Sequence, residues 1–311
     1  MINYSKEKIL ITGASGFLGS NLIKSLLEKK ARIFAISKGK HHISQVETAQ
    51  IDLANFKEVK TFIDRVKPTI VFHLGALVVL SRDFKIAQEC VSSNIMGTLN
   101  LLEAAKDLKL KRFLFLSTEE IYGDNKPPYI ENQLPMPPSP YAVSKVAGEN
   151  FCQLYHLLYN LPTTVFRINT IYGYFQPSSR FIPTLIIKAL KNQPIDFNSG
   201  KNSRDYLFVD DLIEAIILSA DDKKKLSGQI INIGSGESIS GEKLIKKIIK
   251  LARSTSKINF NAFPDRECEA PKWKIDNGKA KKILNWQQKH SLDQGLIKTI
   301  AYYNGVENDG K

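Results

Sequence analysis

The stretch KILITGASGFLGSNLIKSLLEKK, residues 8–30, combines a short apolar run, three glycines and an amphipathic segment. The apolar run at 8–12 predicts a buried strand, and the helical spacing of apolar residues over 16–30 predicts a helix. Gly13, Gly16 and Gly19 lie between them, where glycines permit a tight turn and let a pyrophosphate approach the amides at a helix N-terminus. Their spacing is G-x-x-G-x-x-G, a variant of the G-x-G-x-x-G fingerprint. We therefore expect a dinucleotide site at this turn.

The rest of the first half repeats this alternation of strand and helix. Strands are predicted at 8–12, 32–37, 69–74, 112–117 and 163–169, and helices at 16–30, 56–66, 88–108 and 141–159. Such alternation indicates right-handed βαβ units and a doubly wound parallel sheet, an α/β fold of the Rossmann type.

The sequence pattern changes after residue 173. Turn-rich stretches at 176–180, 192–204 and 261–274 separate further helices and one more buried strand at 229–233. We expect a Rossmann domain over 1–173. Residues 174–311 are expected to form mainly a smaller α/β substrate-binding part, with segments returning to the Rossmann domain.

Composition narrows the class of protein. The chain has 311 residues, 43% hydrophobic and 24% charged, and no apolar run long enough to span a membrane. Its start is too short and polar for a secretory signal, so we expect a cytoplasmic protein. Cys90, Cys152 and Cys268 are far apart, which favours free thiols and no metal site.

The formal net charge of +13 suits an anionic ligand. The lysines are spread over turns and helical faces without the interleaved aromatic residues that stack bases, so we expect no nucleic-acid or membrane partner.

The second strand ends at Ser37 and Lys38, where an NAD enzyme usually carries an acidic residue for the ribose 2′-hydroxyl. A cation there suits a 2′-phosphate and favours NADP, although Lys38 as a solvated loop charge leaves NAD open. Asp52 and Leu53 follow a third hydrophobic turn and could hold the adenine. Alternatively, Asp52 caps the helix that begins near Phe56.

A second motif, SPYAVSK, places Tyr141 and Lys145 one turn apart on a helix face. A nearby ammonium would lower the pKa of the tyrosine and let it remove an alcohol proton. Thr118 ends the preceding strand and could hydrogen-bond the same substrate oxygen, while Glu119 and Glu120 offer acid or base groups. The alternatives are a solvated helix pair and an exposed turn at the strand end.

Together these motifs resemble the extended short-chain dehydrogenase/reductase family, in particular its nucleotide-sugar epimerases, dehydratases and reductases. The resemblance covers nearly the whole chain. It rests on TGASGFLG at 12–19, HLGA at 73–76, Asn94 in NIMGTLNLLEA, STEEIYG at 117–123 and SPYAVSK at 139–145. It continues through RINTIYG at 167–173, SRDYLFVDD at 203–211, INIGSGE at 231–237 and DNGKAKKILNW at 276–286.

The resemblance implies roles for individual residues. Tyr141 would take the proton of the sugar 4-hydroxyl while hydride passes from C4 to the nicotinamide, with Thr118 orienting the oxygen and Lys145 also binding the nicotinamide ribose. Further cofactor contacts would come from Phe17, Leu18, Leu74, Gly75, Ala76 and Asn94. Arg204 and Arg266 would contact the nucleotide diphosphate, and Asn169 and Arg180 would complete the substrate site. Arg204 or Arg266 could instead pair with a carboxylate such as Asp205 or Glu269.

Which reaction follows oxidation stays open. The 4,6-dehydratases carry Thr-Asp-Glu, and here Glu119 replaces that Asp while Glu120 matches the Glu. Many 4-epimerases have small residues at both positions. The expected reaction is 4,6-dehydration or 4-epimerisation of a nucleotide hexose. The alternatives are NADPH-dependent reduction of a 4-keto-6-deoxyhexose, which the length and the Ser37–Lys38 pair resemble, and a dinucleotide sensor without turnover.

The predicted helices at 88–108 and 141–159 carry apolar residues on more than one face. This pattern, common in the family, favours a homodimer formed through a four-helix arrangement, with Phe151 and Leu154 as core residues being the alternative. The sequence does not identify the base, the sugar or the stereochemistry.

Overall fold

The computed structural model describes residues 2–39, 43–79, 81–221, 225–265 and 270–309, with side chains as far as Val306 in the last helix. The strands are β1 (Lys8–Thr12), β2 (Arg32–Ser37), β3 (Glu47–Gln50), β4 (Ile70–His73), β5 (Arg112–Thr118), β6 (Thr163–Ile168), β7 (Thr170–Tyr172), β8 (Ile195–Asp196), β9 (Ser203–Arg204), β10 (Tyr206–Phe208), β11 (Gln229–Ile233), β12 (Ile239–Ser240) and β13 (Ile258–Asn259). The α-helices are α1 (Phe17–Glu28), α2 (Phe56–Val66), α3 (Phe84–Cys90), α4 (Gly97–Ala105), α5 (Pro140–Tyr159), α6 (Phe181–Leu190), α7 (Val209–Ser219), α8 (Gly241–Leu251) and α9 (Leu292–Asp309). Short 3-10 turns lie at Tyr4–Lys6 and Glu119–Tyr122, and π-helical turns at Val91–Met96 and Ala280–Leu284.

Seven parallel strands form the central sheet in the order β11-β6-β5-β4-β1-β2-β3. The chain moves outward from β1 to β3, and then starts again on the other side of β1 with β4. The order therefore reverses between β1 and β4, and open α/β sheets bind ligands outside the carboxyl ends of the strands at such a point. The predicted doubly wound Rossmann-type fold is confirmed.

The sheet is buried on both faces. Along β1, Ile9 and Ile11 belong to the core cluster packed with α1, α7 and the C-terminal helices, while Leu10 belongs to the cluster packed with α2, α4 and α5. Strands covered on both sides read as continuous apolar runs, which is why the sequence predicted most of them closely.

Several elements differ from the sequence prediction, which did not include the short strands β7, β8, β9, β10, β12 and β13. The edge strand β3 was not predicted, because ETAQ is short, partly exposed and has no apolar alternation. The single helix expected at 88–108 is wrong in detail: α3 begins at Phe84, and a π-helical turn at Val91–Met96 separates it from α4. The turn contains the buried Asn94, whose carbonyl accepts a hydrogen bond from the Thr98 hydroxyl at 2.6 Å.

The second half of the chain contributes both to the sheet and to a separate lobe. β11 joins the sheet beside β6, whereas α6, α8 and α9 pack together near the two-stranded pairs β7–β10, β9–β12 and β8–β13. We keep the division at residue 173 as a proposal, with β11 as one segment that returns. Among the residues described, none of the helices has the length and apolar character needed to cross a membrane.

Candidate active site

The turn between β1 and α1 has the shape of a phosphate cradle. Gly13 has a φ of +69°, and a Cβ there would lie 2.7 Å from the Gly75 Cα. A Cβ on Gly19 would lie 2.3 Å from the Gly13 carbonyl oxygen, so the turn and the helix pack backbone against backbone. Within the described residues, no side chain caps α1 at Gly16. The first amides of α1, those of Phe17 and Leu18 among them, thus fit the pyrophosphate of a dinucleotide.

The end of β2 carries an ion pair. Lys38 Nζ lies 3.0 Å from Asp52 Oδ2, with the two side chains 76% and 43% exposed. The Ser37 hydroxyl donates to the Gly39 carbonyl at 2.7 Å. Hydrogen bonds from the Ala54 amide and then from Lys38 lower the pKa of Asp52. A ligand at this strand end can contact both Lys38 and Asp52, because it would displace only a weak surface ion pair.

The alternative role of Asp52 as a helix cap is wrong. The residue that caps α2 is Asn55, whose Oδ1 accepts from the Glu58 amide at 3.3 Å. Leu53 follows Asp52 in the same turn, and its carbonyl accepts a hydrogen bond from Asn100 Nδ2 at 2.9 Å.

A buried histidine fixes the loop after β4. The Thr98 hydroxyl donates to Asn94, so its oxygen accepts from His73 Nε2 at 3.0 Å. His73 Nδ1 therefore accepts from the Thr12 hydroxyl at 2.7 Å, and Thr12 in turn accepts from the Gly75 amide at 3.1 Å. Burial lowers the pKa of His73 to about 3, so the ring is neutral.

This hydrogen-bond chain holds Leu74 and Gly75 beside Gly13, and the cofactor contacts of Leu74, Gly75 and Ala76 stay a prediction. The part played by the His73 side chain was not predicted. The signal for it in the sequence is a polar residue that closes the apolar run of β4.

Asn94 connects the same loop to the helix α5. Its Oδ1 accepts from the Leu77 amide at 2.7 Å, and its Nδ2 donates to the Leu77 carbonyl at 3.1 Å and to Ser144 Oγ at 2.9 Å. Ser144 donates to the Tyr141 carbonyl at 2.7 Å. Asn94 thus orders both walls of the cleft, and its direct contact with a cofactor stays a prediction.

Thr118, Tyr141 and Lys145 meet at the carboxyl end of β5. Ser139 caps α5 by accepting from the Ala142 amide at 3.1 Å, which sets Tyr141 in the first turn. Thr118, the last residue of β5, lies close enough to Tyr141 to lower the pKa of its phenol in part. Lys145, one turn further along, lies with Nζ 4.1 Å from the centroid of the Phe115 ring. The surface alternative for this pair is wrong, because both Tyr141 and Lys145 are buried.

The electrostatics of this pair differ from the expectation. Burial, with a contribution from Glu120, raises the pKa of Tyr141 above that of an ordinary phenol, while Thr118 and Arg180 lower it in part. Burial lowers the pKa of Lys145 to about 8. The expected lowering of the Tyr141 pKa is therefore wrong, since the effect of burial outweighs that of the Arg180 charge.

Two buried carboxyl groups follow Thr118 in the chain, with Glu119 2% and Glu120 8% exposed, and the Glu120 charge acts on Tyr141. Glu120 Oε1 accepts from the Ser139 hydroxyl at 2.5 Å. Glu119 Oε1 accepts from the Thr170 hydroxyl at 3.2 Å, and its Oε2 finds no hydrogen-bond partner among the described residues. Burial and then Asp205 raise the pKa of Glu119 well above its ordinary value, although Arg204 opposes them. The exposed-turn alternative is wrong, and Glu119 favours its protonated form.

The predicted substrate residues come from the C-terminal lobe. The Arg204 guanidinium lies 4.5 Å from the Trp273 ring centroid and donates to the Ser203 and Ala270 carbonyls at 2.9 and 3.2 Å. Arg180, just before α6, donates to the Val78 carbonyl at 3.4 Å and so reaches across to the loop after β4. Arg266 and its alternative partner Glu269 lie outside the described residues.

Asp205 organises the floor of this lobe. Its carboxylate accepts from the amides of Ser235, Gly236 and Ile275 and from Asn169 Nδ2. The buried Asn169 Oδ1 has no partner among the described residues and is an acceptor available to a ligand. In the same part of the chain, no group of three or more His, Cys, Asp or Glu side chains is arranged to hold a metal ion.

Comparison with known proteins gives consistent matches. Residues 9–234 match the model of the NAD dependent epimerase/dehydratase family. The chain is 31% identical to a UDP-glucuronate 4-epimerase of Thermodesulfobacterium geofontis, over 94% of this chain and 95% of that protein. It is 29% identical to a dTDP-glucose 4,6-dehydratase of Haemophilus influenzae, over 95% and 97%. The structure of UDP-glucuronic acid 4-epimerase from Bacillus cereus, in complex with UDP-glucuronic acid and NAD, superposes with a TM-score of 0.88 at 30% identity, covering 96% of this chain and 99% of that one.

Proposed function

The chain belongs to the NAD-dependent epimerase/dehydratase family and is an enzyme of nucleotide-sugar metabolism, and on that premise we propose that it oxidises a nucleotide hexose at C4. The observation that supports this proposal is the meeting of Thr118, Tyr141 and Lys145 at the carboxyl end of β5, with both α5 side chains buried. When bound in the glycine cradle, the dinucleotide supplies a hydride acceptor and donor.

The side chains then divide the work at C4. Tyr141 Oη removes the proton of the 4-hydroxyl, and the Thr118 hydroxyl hydrogen-bonds the same sugar oxygen. The Lys145 ammonium, buried on the same helix face, stabilises the phenolate and offsets part of the cost that burial imposes. Arg204 binds the nucleotide diphosphate from the C-terminal lobe, since a guanidinium fork suits phosphate oxygens, while the Asn169 amide oxygen accepts from a hydroxyl of the substrate.

The two carboxyl groups favour 4,6-dehydration over simple epimerisation. Once C4 is a ketone, Glu120 removes the C5 proton and Glu119 gives its proton to the departing 6-hydroxyl, which leaves as water. C6 then receives the hydride that C4 gave up and Glu120 returns the proton to C5, so the net change is the loss of one water. The raised pKa of Glu119 supports the acid role, because it favours the protonated form that a proton donor needs. Epimerisation at C4 is the second candidate, favoured by the likeness to 4-epimerases.

The reaction is tested by incubating the purified protein with NAD or NADPH and a panel of nucleotide hexoses and 4-keto-6-deoxyhexoses, followed by mass spectrometry. Loss of one water from a hexose is the expected result, and Tyr141→Phe is the control that should give none. An isomer of unchanged mass would establish epimerisation instead, and gain of two hydrogens by a keto sugar would establish reduction. No product from any sugar would contradict catalysis and return the protein to the sensor alternative.

The finer choice of cofactor is part of this proposal. NAD dependence belongs to the family, and we propose that this chain also accepts NADP, with preference for it. Support comes from the end of β2, where Lys38 is 76% exposed and forms a surface ion pair with Asp52. Exchanging that carboxylate for a 2′-phosphate would cost little, since exposed pairs contribute at most about 1 kcal/mol.

A homodimer is also proposed, formed through the helices α3 and α5 and the π-helical turn between α3 and α4. Their outer faces expose several large apolar side chains: Phe84, Val91, Met96, Leu154, Leu157 and Leu158. Exposed apolar side chains on elements that pack against one another are typical of an interaction site. Leu154 is therefore not a core residue, whereas Phe151 packs against the core beneath α5. A cytoplasmic location stays a prediction.

A further inference from the structure

A buried ion pair lies directly behind the catalytic helix. Arg167, on β6, donates from Nη2 to Glu149 Oε2 at 2.7 Å, and its Nε lies 3.1 and 3.2 Å from the two carboxylate oxygens. The two side chains are 4% and 3% exposed. Glu149 is on α5, one turn beyond Lys145 and two beyond Tyr141, so the pair fixes the face of α5 that carries the proposed chemistry.

The other end of the same guanidinium reaches the acid segment. Nη1 donates to Tyr122 Oη at 3.0 Å and to the Glu131 carbonyl at 3.1 Å. Tyr122 ends the 3-10 turn that contains Glu119 and Glu120, and it donates in turn to Asn232 Oδ1 on β11 at 2.7 Å. One planar group therefore joins α5, the Glu119–Tyr122 turn and, through Tyr122, the edge of the sheet.

We propose that Arg167 is a positioning residue that holds the Glu119–Tyr122 turn in register with Tyr141 and Lys145, through Glu149 on one side and Tyr122 on the other. The inference rests on the proposed function for the roles of Tyr141, Glu119 and Glu120. A lysine could keep the charge next to Glu149 but could not contact both partners, because the guanidinium is a rigid fork with five donors. Buried pairs cost desolvation and rarely add net stability, which fits a pair retained for geometry.

The pair also sets the charge near Lys145. The groups that face Lys145 are His73 from β4, the Phe115 ring from β5, and Tyr141, Glu149 and Cys152 from α5. His73 is neutral, and burial raises the pKa of the Cys152 thiol. Glu149 is anionic and neutralised by Arg167. Removing Arg167 therefore leaves an uncompensated negative charge near Lys145, and removing Glu149 leaves an uncompensated positive one.

The test compares Tyr122→Phe, Arg167→Lys, Arg167→Met and Glu149→Gln with the wild type. Tyr155→Phe is the matched control, since Tyr155 on α5 donates a hydrogen bond of 2.6 Å to Glu103 away from the site. We expect Tyr122→Phe and Arg167→Lys to lower kcat about tenfold or more with KM nearly unchanged, because small misplacement of catalytic groups is expensive. The control should keep the wild-type kcat.

The pH profile supplies a readout that a merely structural role would not move. Arg167→Met leaves the Glu149 anion, which favours the Lys145 ammonium, so the alkaline limb of kcat should move to higher pH. Glu149→Gln leaves the Arg167 cation, so the limb should move to lower pH. Shifts in one direction, no shifts, or a Tyr122→Phe variant as active as the control would overturn the proposal.

Amide hydrogen exchange keeps this inference separable from the proposed function. If the wild type turns over no nucleotide sugar, the proposed function fails, and exchange at residues 117–123 then decides the inference alone. Faster exchange there in Tyr122→Phe and Arg167→Lys, but not in Tyr155→Phe, would support the bridge. Exchange equal to that of the wild type would overturn it.

Discussion

At the scale of single residues, the site keeps a charge where the fold disfavours it. The Lys145 ammonium is buried, and loss of solvent lowers its pKa from 10.5 to about 8. Its contact with the Phe115 ring at 4.1 Å compensates only in part, since cation–π contacts contribute roughly 1–2 kcal/mol. A buried ammonium that destabilises the fold is more easily explained by a catalytic role than by a contribution to stability.

Replacing this lysine should stabilise the protein. The folded-state pKa lies below the unfolded one, so the destabilisation is complete below about pH 8 and fades as pH rises toward the unfolded value. Lys145→Met should therefore raise the free energy of unfolding at neutral pH by up to about 3 kcal/mol, with a smaller gain at alkaline pH. Urea unfolding at both pH values checks this, with the exposed-lysine variant Lys60→Met as control. A less stable Lys145→Met variant, or a gain independent of pH, would contradict it.

Cofactor selection belongs to the same scale. If Lys38 binds a 2′-phosphate, Lys38→Ala should weaken NADP binding about tenfold, which corresponds to about 1.4 kcal/mol, and leave NAD binding unchanged. Calorimetric titration of both dinucleotides measures this. Equal affinities before and after the change would leave the family's NAD as the cofactor and remove Lys38 from the site.

At the scale of elements, the strand–turn–helix of residues 8–28 carries the cofactor site, and its glycines make a direct test possible. A Cβ on Gly19 would lie 2.3 Å from the Gly13 carbonyl and 2.6 Å from the Ala14 Cα, so Gly19→Ala must displace the cradle. We expect dinucleotide affinity to fall more than about tenfold and the free energy of unfolding to fall by about 1–3 kcal/mol.

Gly305→Ala is the matched control for that variant. Gly305 lies on α9, where a Cβ would point into open space as far as the described residues show. Alanine there should bind the dinucleotide normally and be neutral or slightly stabilising, because alanine is the better helix former. Equal dinucleotide affinity in Gly19→Ala and Gly305→Ala would place the cofactor elsewhere.

The elements show what local sequence could and could not predict. Strands β1 and β2 and helix α2 follow from apolar runs and capping residues, which act over a few positions. The π-helical turn at Asn94 could not be predicted, since it accompanies hydrogen bonds to Leu77 and Ser144, distant in the chain. The glutamates were identified as candidates from their motif, but their burial depends on Ser139 and Thr170, which the fold brings to them.

At the scale of the whole molecule, the sheet order and the lobes determine where the site forms. The reversal of strand order between β1 and β4 could be inferred from the alternation of elements, and with it the edge where ligands bind. The arrangement of the C-terminal lobe could not. It depends on contacts such as those of Asp205 with Ser235, Gly236 and Ile275, which join segments 30 to 70 residues apart.

The proposed dimer is the property of the whole molecule most open to a single substitution. Leu157 on α5 is 76% exposed, and Leu157→Glu should give a monomer because it buries a charge in the proposed interface. Ile297→Glu is the control, since Ile297 is 53% exposed on α9 and outside that surface. Light scattering after size-exclusion chromatography should give dimer, monomer and dimer for wild type, Leu157→Glu and Ile297→Glu. A monomeric wild type would contradict the assignment.

We propose that Tyr141 starts the reaction by removing the proton of the 4-hydroxyl, which enables hydride transfer from sugar C4. It is tested most directly with a nucleotide hexose carrying deuterium at C4, mixed with dinucleotide-loaded protein and followed by the near-ultraviolet absorbance of reduced nicotinamide. We expect a transient absorbance of reduced nicotinamide that the deuterium slows, retention of the label in the product, and neither absorbance nor product in Tyr141→Phe. Product formed without a reduced signal, or formed equally by Tyr141→Phe, would contradict it.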